Sequence, residues 1–142
     1  MAKSWPYWST CHHARTWFEH RQLDNLLFVH FADLLADPRG EIARMAAFLG
    51  IELSEAELTR VVEATSFASM KDRAESVVGD AAGLWKGGAR QFLHKGTNGR
   101  WRGVLRDDEL AQYHALVERE LTPECARWLE QGRASLVGAA HP

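Results

Sequence analysis

Leu26-Leu27-Phe28-Val29-His30-Phe31 is a short, nearly continuous apolar run in a chain whose other segments are patterned as helices. Such a run reads as one clear strand, over about residues 25–31, buried on both faces as in a parallel sheet. A strand of this kind must pair its backbone N–H and C=O groups with neighbours, and a parallel neighbour needs a crossover connection. No comparable second run is visible in the sequence. Either a weak strand hides near residues 90–93, or the sheet is supplied by another polypeptide. The chain reads as part of a larger α/β fold, and an unpaired strand predicts self-association of the lone chain.

The helices announce themselves by caps and spacing. Ser9 or Thr10 opens a segment to Arg21 with Ala14, Trp17 and Phe18 on one face. Asp37 and Pro38 start a helix whose Ile42, Met45, Ala46 and Leu49 share a face until Gly50 stops it. Ser54-Glu55-Ala56-Glu57 is a capping box ahead of Leu58, Val61 and Val62. Thr65 or Ser66 caps a short turn through Phe67 and Met70. Two last helices follow Asp107 and Thr122-Pro123, and residues 131–142 are expected to fray. Residues 1–130 make the expected domain.

The 142 residues are 46% apolar with a formal net charge of −2, which excludes a largely disordered chain. A domain of this length buries roughly two-thirds of its unfolded surface. No apolar run approaches the ~18 residues of a membrane span, and no signal-peptide core is present. Two cysteines make no disulfide scaffold, and Cys11-His12-His13 with His20 lacks metal-site spacing. A cytoplasmic chain is expected.

Charge is unevenly spread. Between residues 81 and 106 stand Lys86, Arg90, Lys95, Arg100, Arg102 and Arg106 with no acidic residue, interleaved with Gly83, Gly87, Gly88, Gly96, Gly99 and Gly103. Fixed positive charges and bare glycine amides converge naturally on an anion. The plain alternative is a solvated loop.

Taken together, several segments resemble the C-terminal part of the cytosolic-type sulfotransferase family. They are Asn25-Leu26-Leu27-Phe28-Val29-His30-Phe31-Ala32-Asp33-Leu34, Asp37-Pro38-Arg39-Gly40-Glu41-Ile42, Phe48-Leu49-Gly50, Thr65-Ser66-Phe67-Ala68-Ser69-Met70-Lys71 and Phe92-Leu93-His94-Lys95-Gly96-Thr97-Asn98-Gly99-Arg100-Trp101. The resemblance implies a P-loop-like α/β fold of which this chain is the mostly helical C-terminal part. It implies transfer of a sulfuryl group from 3′-phosphoadenosine 5′-phosphosulfate (PAPS) to a hydroxyl or amine, leaving 3′-phosphoadenosine 5′-phosphate (PAP). It also implies contacts to the adenine from Thr65, Ser66, Phe67 and Met70, with Phe92, His94, Lys95 and Gly96 in the loop at the 3′-phosphate. The chemistry agrees: Lys95 and the Gly96 amide suit a phosphate, and Phe67 and Met70 suit an adenine face.

Departures from the family pattern shape the expectation. His94 stands where the family usually has Arg, exchanging a permanent charge for a side chain mostly neutral at pH 7, so phosphate binding should be weaker and should strengthen below about pH 6.5. Phe31 stands where many members carry a Tyr. The family's phosphosulfate loop and catalytic His have no match in the sequence, so no catalytic residue is assigned and the lone chain is expected to be inactive. The expected partners are an unknown small acceptor and an N-terminal half supplied by another chain, or a second copy, rather than nucleic acid. The alternative is a non-enzymatic anion- or partner-binding domain using the cationic loop 81–106.

Overall fold

The structure, a computed structural model, describes residues 9–79, 83, 86, 88–89, 93 and 95–136. It divides into two compact units, Met1–Ala36 with Gly99–Pro142, and Asp37–Asn98.

In the first unit, α1 (Thr10–Phe18) starts at Ser9, whose side chain accepts the His12 amide. Cys11 and Phe18 lie two turns apart on one face, and both are buried. They pack with Val117 of α7 (Asp107–Glu120), with Leu121, and with Cys125 of α8 (Pro123–Gln131). Thr122 caps α8 by accepting the Cys125 amide at 3.2 Å, ahead of Pro123 in the first turn. Burial pushes both thiols up from their ordinary range, which keeps them protonated and unreactive.

An aromatic cluster extends this core. The Trp128 ring lies 4.9 Å from Phe28 edge-on, 5.7 Å from Phe18 and 5.5 Å from His30, centroid to centroid. Such pairs each contribute about 0.5–1.5 kcal/mol beyond simple burial. Arg21 closes the rim, with its guanidinium 4.3 Å from the Phe18 centroid and 2.7 Å from the Glu124 carboxylate.

The expected strand at residues 25–31 is not formed. Residues 26–30 are irregular, Phe31 begins the helix α2 (Phe31–Ala36), and no strand occurs among the described residues. The cause is the one the sequence poses: a ladder needs a partner. His30 resolves the local backbone differently. Its Nδ1 accepts the Ala32 amide at 3.1 Å, so Nε2 carries the proton and donates to the Leu129 carbonyl at 3.0 Å. It is a fully bonded structural histidine. The alternative strand at residues 90–93 falls almost wholly outside the described residues.

The tail is ordered further than expected. Residue 131 completes α8, and Arg133–Leu136 form a 3-10 turn whose Leu136 packs on the core. Asp33 anchors it, accepting the Arg133 amide at 2.8 Å. Gly132 has φ +82°, and a Cβ there would sit 2.6 Å from the Asp33 carboxylate, so only glycine fits. Residues 137–142 lie outside the described residues.

In the second unit, α3 (Pro38–Phe48) follows an Asp37 cap and buries Ile42 and Ala46. It packs on α4 (Glu55–Thr65), which buries Leu58 behind the complete Ser54–Glu57 capping box. Arg39 pairs with Glu55 and donates to Thr59 at 3.1 Å, joining the two helices. Glu41, almost fully buried, is paired with Arg44 one turn on. Short helices α5 (Phe67–Asp72) and α6 (Ala74–Val78) complete the described part.

Trp128→Ala should lower unfolding stability by about 3 kcal/mol, as expected for loss of a large aromatic from a packed cluster. Trp17, half exposed on α1, should cost under about 1 kcal/mol when changed to Ala. Urea unfolding of the two variants measures the difference.

Candidate functional site

The second unit holds the described site residues at the joint between α4 and α5. Ser66 leaves the helical region, with φ −59° and ψ 146°, so it ends α4 and caps α5 at once. Its hydroxyl accepts the Ser69 amide at 3.2 Å. Thr65 turns back, donating to the Val61 carbonyl at 2.7 Å. Arg73 fixes the joint from outside, donating to the Ala64 carbonyl at 2.6 Å and to the Ser69 hydroxyl at 3.2 Å. Phe67 is thereby held as the first residue of α5, half-buried, with Met70 half-buried one turn later.

Gly96 lies against this joint. It has φ +60°, and a Cβ built on it would stand 2.5 Å from Phe67 Cδ2. The chain 29 positions beyond Phe67 therefore passes over the ring with its backbone in van der Waals contact, an approach that any side chain would block. Lys95, the preceding residue, is exposed. Lys71 places its ammonium 5.8 Å from the Phe67 centroid, within cation–π range.

The sequence-predicted residues are thus partly gathered. Phe67 and Gly96 touch, Thr65 and Ser66 form the joint beneath them, and Met70 lies on the same short helix. Phe92 and His94 lie outside the described residues. Sequence reasoning did not assign Lys71 or Arg73 to the site. The signal for Lys71 was its spacing four residues after Phe67, which stacks side chains on a helix.

Chemically, the arrangement offers a flat aromatic wall, a polarizable thioether, two cations and a backbone amide at a glycine. That set fits an aromatic base joined to an anion. It contains no nucleophile–base pair, and among the described residues no three His, Cys, Asp or Glu side chains group as a metal site requires.

The wider cationic window is less available than its composition implies. Arg106 caps α7 and is paired with Asp108 and Glu109. Arg102 lies over its neighbour Trp101 at 5.4 Å. Trp101 and Trp17 are about half exposed.

The first unit carries apolar clefts of its own. One of about 540 Å³ is lined by Trp101, Leu105, Tyr113 and Glu130 among others. Burial, helped by Glu130, pushes the Tyr113 phenol up to about 12, so it stays a neutral donor. The others, of about 390 and 460 Å³, flank residues 25–29. Among the described residues no helix is long and apolar enough to cross a membrane.

A family model described as "Sulfotransferase domain" matches residues 1–125. A glycolipid sulfotransferase of Mycobacterium tuberculosis is 27% identical over 123 residues, covering 86% of this chain and 37% of that protein. Sulfotransferase 1C2 of Oryctolagus cuniculus is 32% identical over 118 residues, covering 81% of this chain and 38% of that protein. The crystal structure of mouse sulfotransferase SULT7A1 complexed with PAP superposes with a TM-score of 0.71 at 24% identity, over 88% of this chain and 45% of that one. The chain therefore spans less than half the length of these relatives.

Gly96→Ala should lower stability by at least about 1 kcal/mol, because it adds a left-handed-region penalty to a collision with Phe67. Lys95→Ala, at an exposed position, should stay within about 0.5 kcal/mol of the parent. Thermal unfolding of both variants reads the contrast.

Proposed function

Because this chain belongs to the sulfotransferase family, we propose that it holds the nucleotide end of PAPS. In this reading it acts as the C-terminal part of a domain that passes the sulfuryl group to a hydroxyl or amine. The observation that carries the reading is the contact between Gly96 and the Phe67 ring. It joins the two segments that the family resemblance assigns to nucleotide recognition, although 28 residues separate them in the chain.

The residues take complementary parts. Phe67 and Met70 form the wall for the adenine, and Thr65 and Ser66 set the backbone from which that wall projects. Lys95 and the Gly96 amide neutralise and bond the 3′-phosphate. The family resemblance assigns Phe92 and His94 to the same stretch of sequence, and a histidine imidazole adds a full positive charge only in acid. The positive φ of Gly96 lets the phosphate-binding backbone lie on the aromatic wall with no side chain between them. When bound, the donor supplies the sulfuryl group and departs as PAP.

Sulfuryl transfer also needs a base for the acceptor and cations on the departing oxygens. The sequence offers no counterpart of the family's phosphosulfate loop or catalytic histidine, so the lone chain binds nucleotide and does not turn over. A cytoplasmic setting belongs to the same reading. The alternative of a general anion-binding loop is less well supported, since Arg106 is already paired with carboxylates.

Thermal shift of the purified chain tests this, with PAP against adenosine 5′-monophosphate at equal ionic strength. At about 100 times its dissociation constant PAP should stabilise the fold by about 2.7 kcal/mol. The shift should require the 3′-phosphate, vanish in Lys95→Ala and grow below about pH 6.5 as His94 gains its proton. Equal shifts with both nucleotides, or none with either, would contradict the assignment.

A further inference from the structure

We propose that the first unit's cleft between Trp101, Tyr113 and Glu130 binds a small organic cation with an apolar body, of the arylalkylammonium class. The site goes beyond the nucleotide reading and needs no residue of the second unit.

Local structure opens the cleft. The Val104 and Leu105 amides both donate to the Trp101 carbonyl at 3.0 Å, in a tight turn that Gly103 permits with φ +75°. The turn sets Trp101 and Leu105 ahead of α7, where Leu110, Tyr113 and His114 follow the spacing of one helix face. Leu129, Glu130 and Gln131, the last residues of α8, complete the described lining. These side chains do not close over one another: Trp101, Leu105 and Tyr113 remain 48%, 41% and 38% exposed. The cleft holds about 540 Å³. Small-ligand sites span about 300–1,000 Å³.

Three features select a cation. Glu130 brings a carboxylate to the cleft, and among the described residues no Lys, Arg or His forms an ion pair with it. Its partner is the Tyr113 phenol, whose hydrogen bond fixes where the carboxylate stands. The same wall is the C-terminal end of the nine-residue α8, where the helix dipole places partial negative charge. Trp101 and Tyr113 add ring faces, which attract cations within about 6 Å of the centroid. Trp101 already shows that attraction, since the Arg102 guanidinium lies 5.4 Å from its centroid.

The leucines define the rest of the ligand. A hydrated inorganic cation would leave Leu105, Leu110 and Leu129 facing its water shell, whereas an aryl or alkyl body covers them. A ring wall, a carboxylate held by a phenol and a helix C-terminus thus meet at one cleft, and an arylalkylammonium ion matches all three.

Calorimetric titration of the full chain with benzyltrimethylammonium in low salt tests the site, at about pH 8, above the ordinary histidine range. A quaternary nitrogen cannot accept a sulfuryl group, so the titration reads binding alone. The cation should bind at least about tenfold more tightly than benzyl alcohol, its neutral counterpart. Glu130→Gln, which keeps the shape at an exposed position, should weaken it at least about threefold. Trp101→Leu should do the same, and Arg102→Ala should tighten binding about twofold by removing the chain's own competitor for the ring. Thermal unfolding establishes that each variant folds, and Glu130→Gln alone decides the matter if Trp101→Leu does not. Equal affinity for the cation and benzyl alcohol would overturn the proposal, as would undiminished affinity in Glu130→Gln or no binding of either compound. Indole N–H shifts that follow protein concentration and ignore the cation would make the cleft an interface between copies, and would overturn it too.

Discussion

Trp128 organises the first unit because three rings from the N-terminal segment meet on it. Phe18, Phe28 and His30 all lie within 6 Å of its ring, and His30 also bonds the carbonyl of Leu129, 99 positions away in the chain. Beyond these contacts α1 and the turn after it are joined to α7 and α8 by Cys11 in the core, by Arg15 donating to the Glu120 carbonyl and by the Arg21–Glu124 pair. His30 is the economical part of this arrangement. One imidazole caps α2 with its unprotonated nitrogen and ties that cap to the C-terminal helix with its protonated one. The apolar run thereby acquires a fixed course without a sheet.

The second unit is built around a different constraint, the close approach of a backbone to an aromatic ring. Ser66 breaks the helix so that Phe67 begins a new one, and Arg73 holds the break by bonding carbonyl and hydroxyl oxygens on either side. Gly96 then passes over Phe67 where no other residue would fit. In the proposed reading, the wall for the base and the backbone for the phosphate become one surface through that contact. Cation and amide stand near the aromatic face because the chain is obliged to lie there.

Much of this was legible in the residues. Caps at Ser9, Asp37, Ser54, Ser66 and Thr122 located helix starts well, because capping is a local exchange between a side chain and the next turn. That residues 25–31 would form no strand was not legible, since a ladder depends on a partner that no local pattern reveals. The order of residues 131–136 was missed for a related reason. It rests on Asp33 reaching Gly132 and Arg133 from the other end of the chain, and no local pattern encodes that. At the site, Thr65, Ser66, Phe67, Met70, Lys95 and Gly96 were each nameable from motif order. That Gly96 would lie on the Phe67 ring was not, because the contact depends on the path of the intervening residues.

The central claim is that the Phe67–Gly96 surface holds a 3′-phosphorylated adenine nucleotide. A crystal structure of this chain grown with PAP addresses it most directly. The account predicts the adenine stacked or edge-on against Phe67, and the 3′-phosphate within hydrogen-bond distance of Lys95 Nζ and the Gly96 amide. Nucleotide density in one of the first unit's clefts, with the Phe67–Gly96 surface bare, would contradict it.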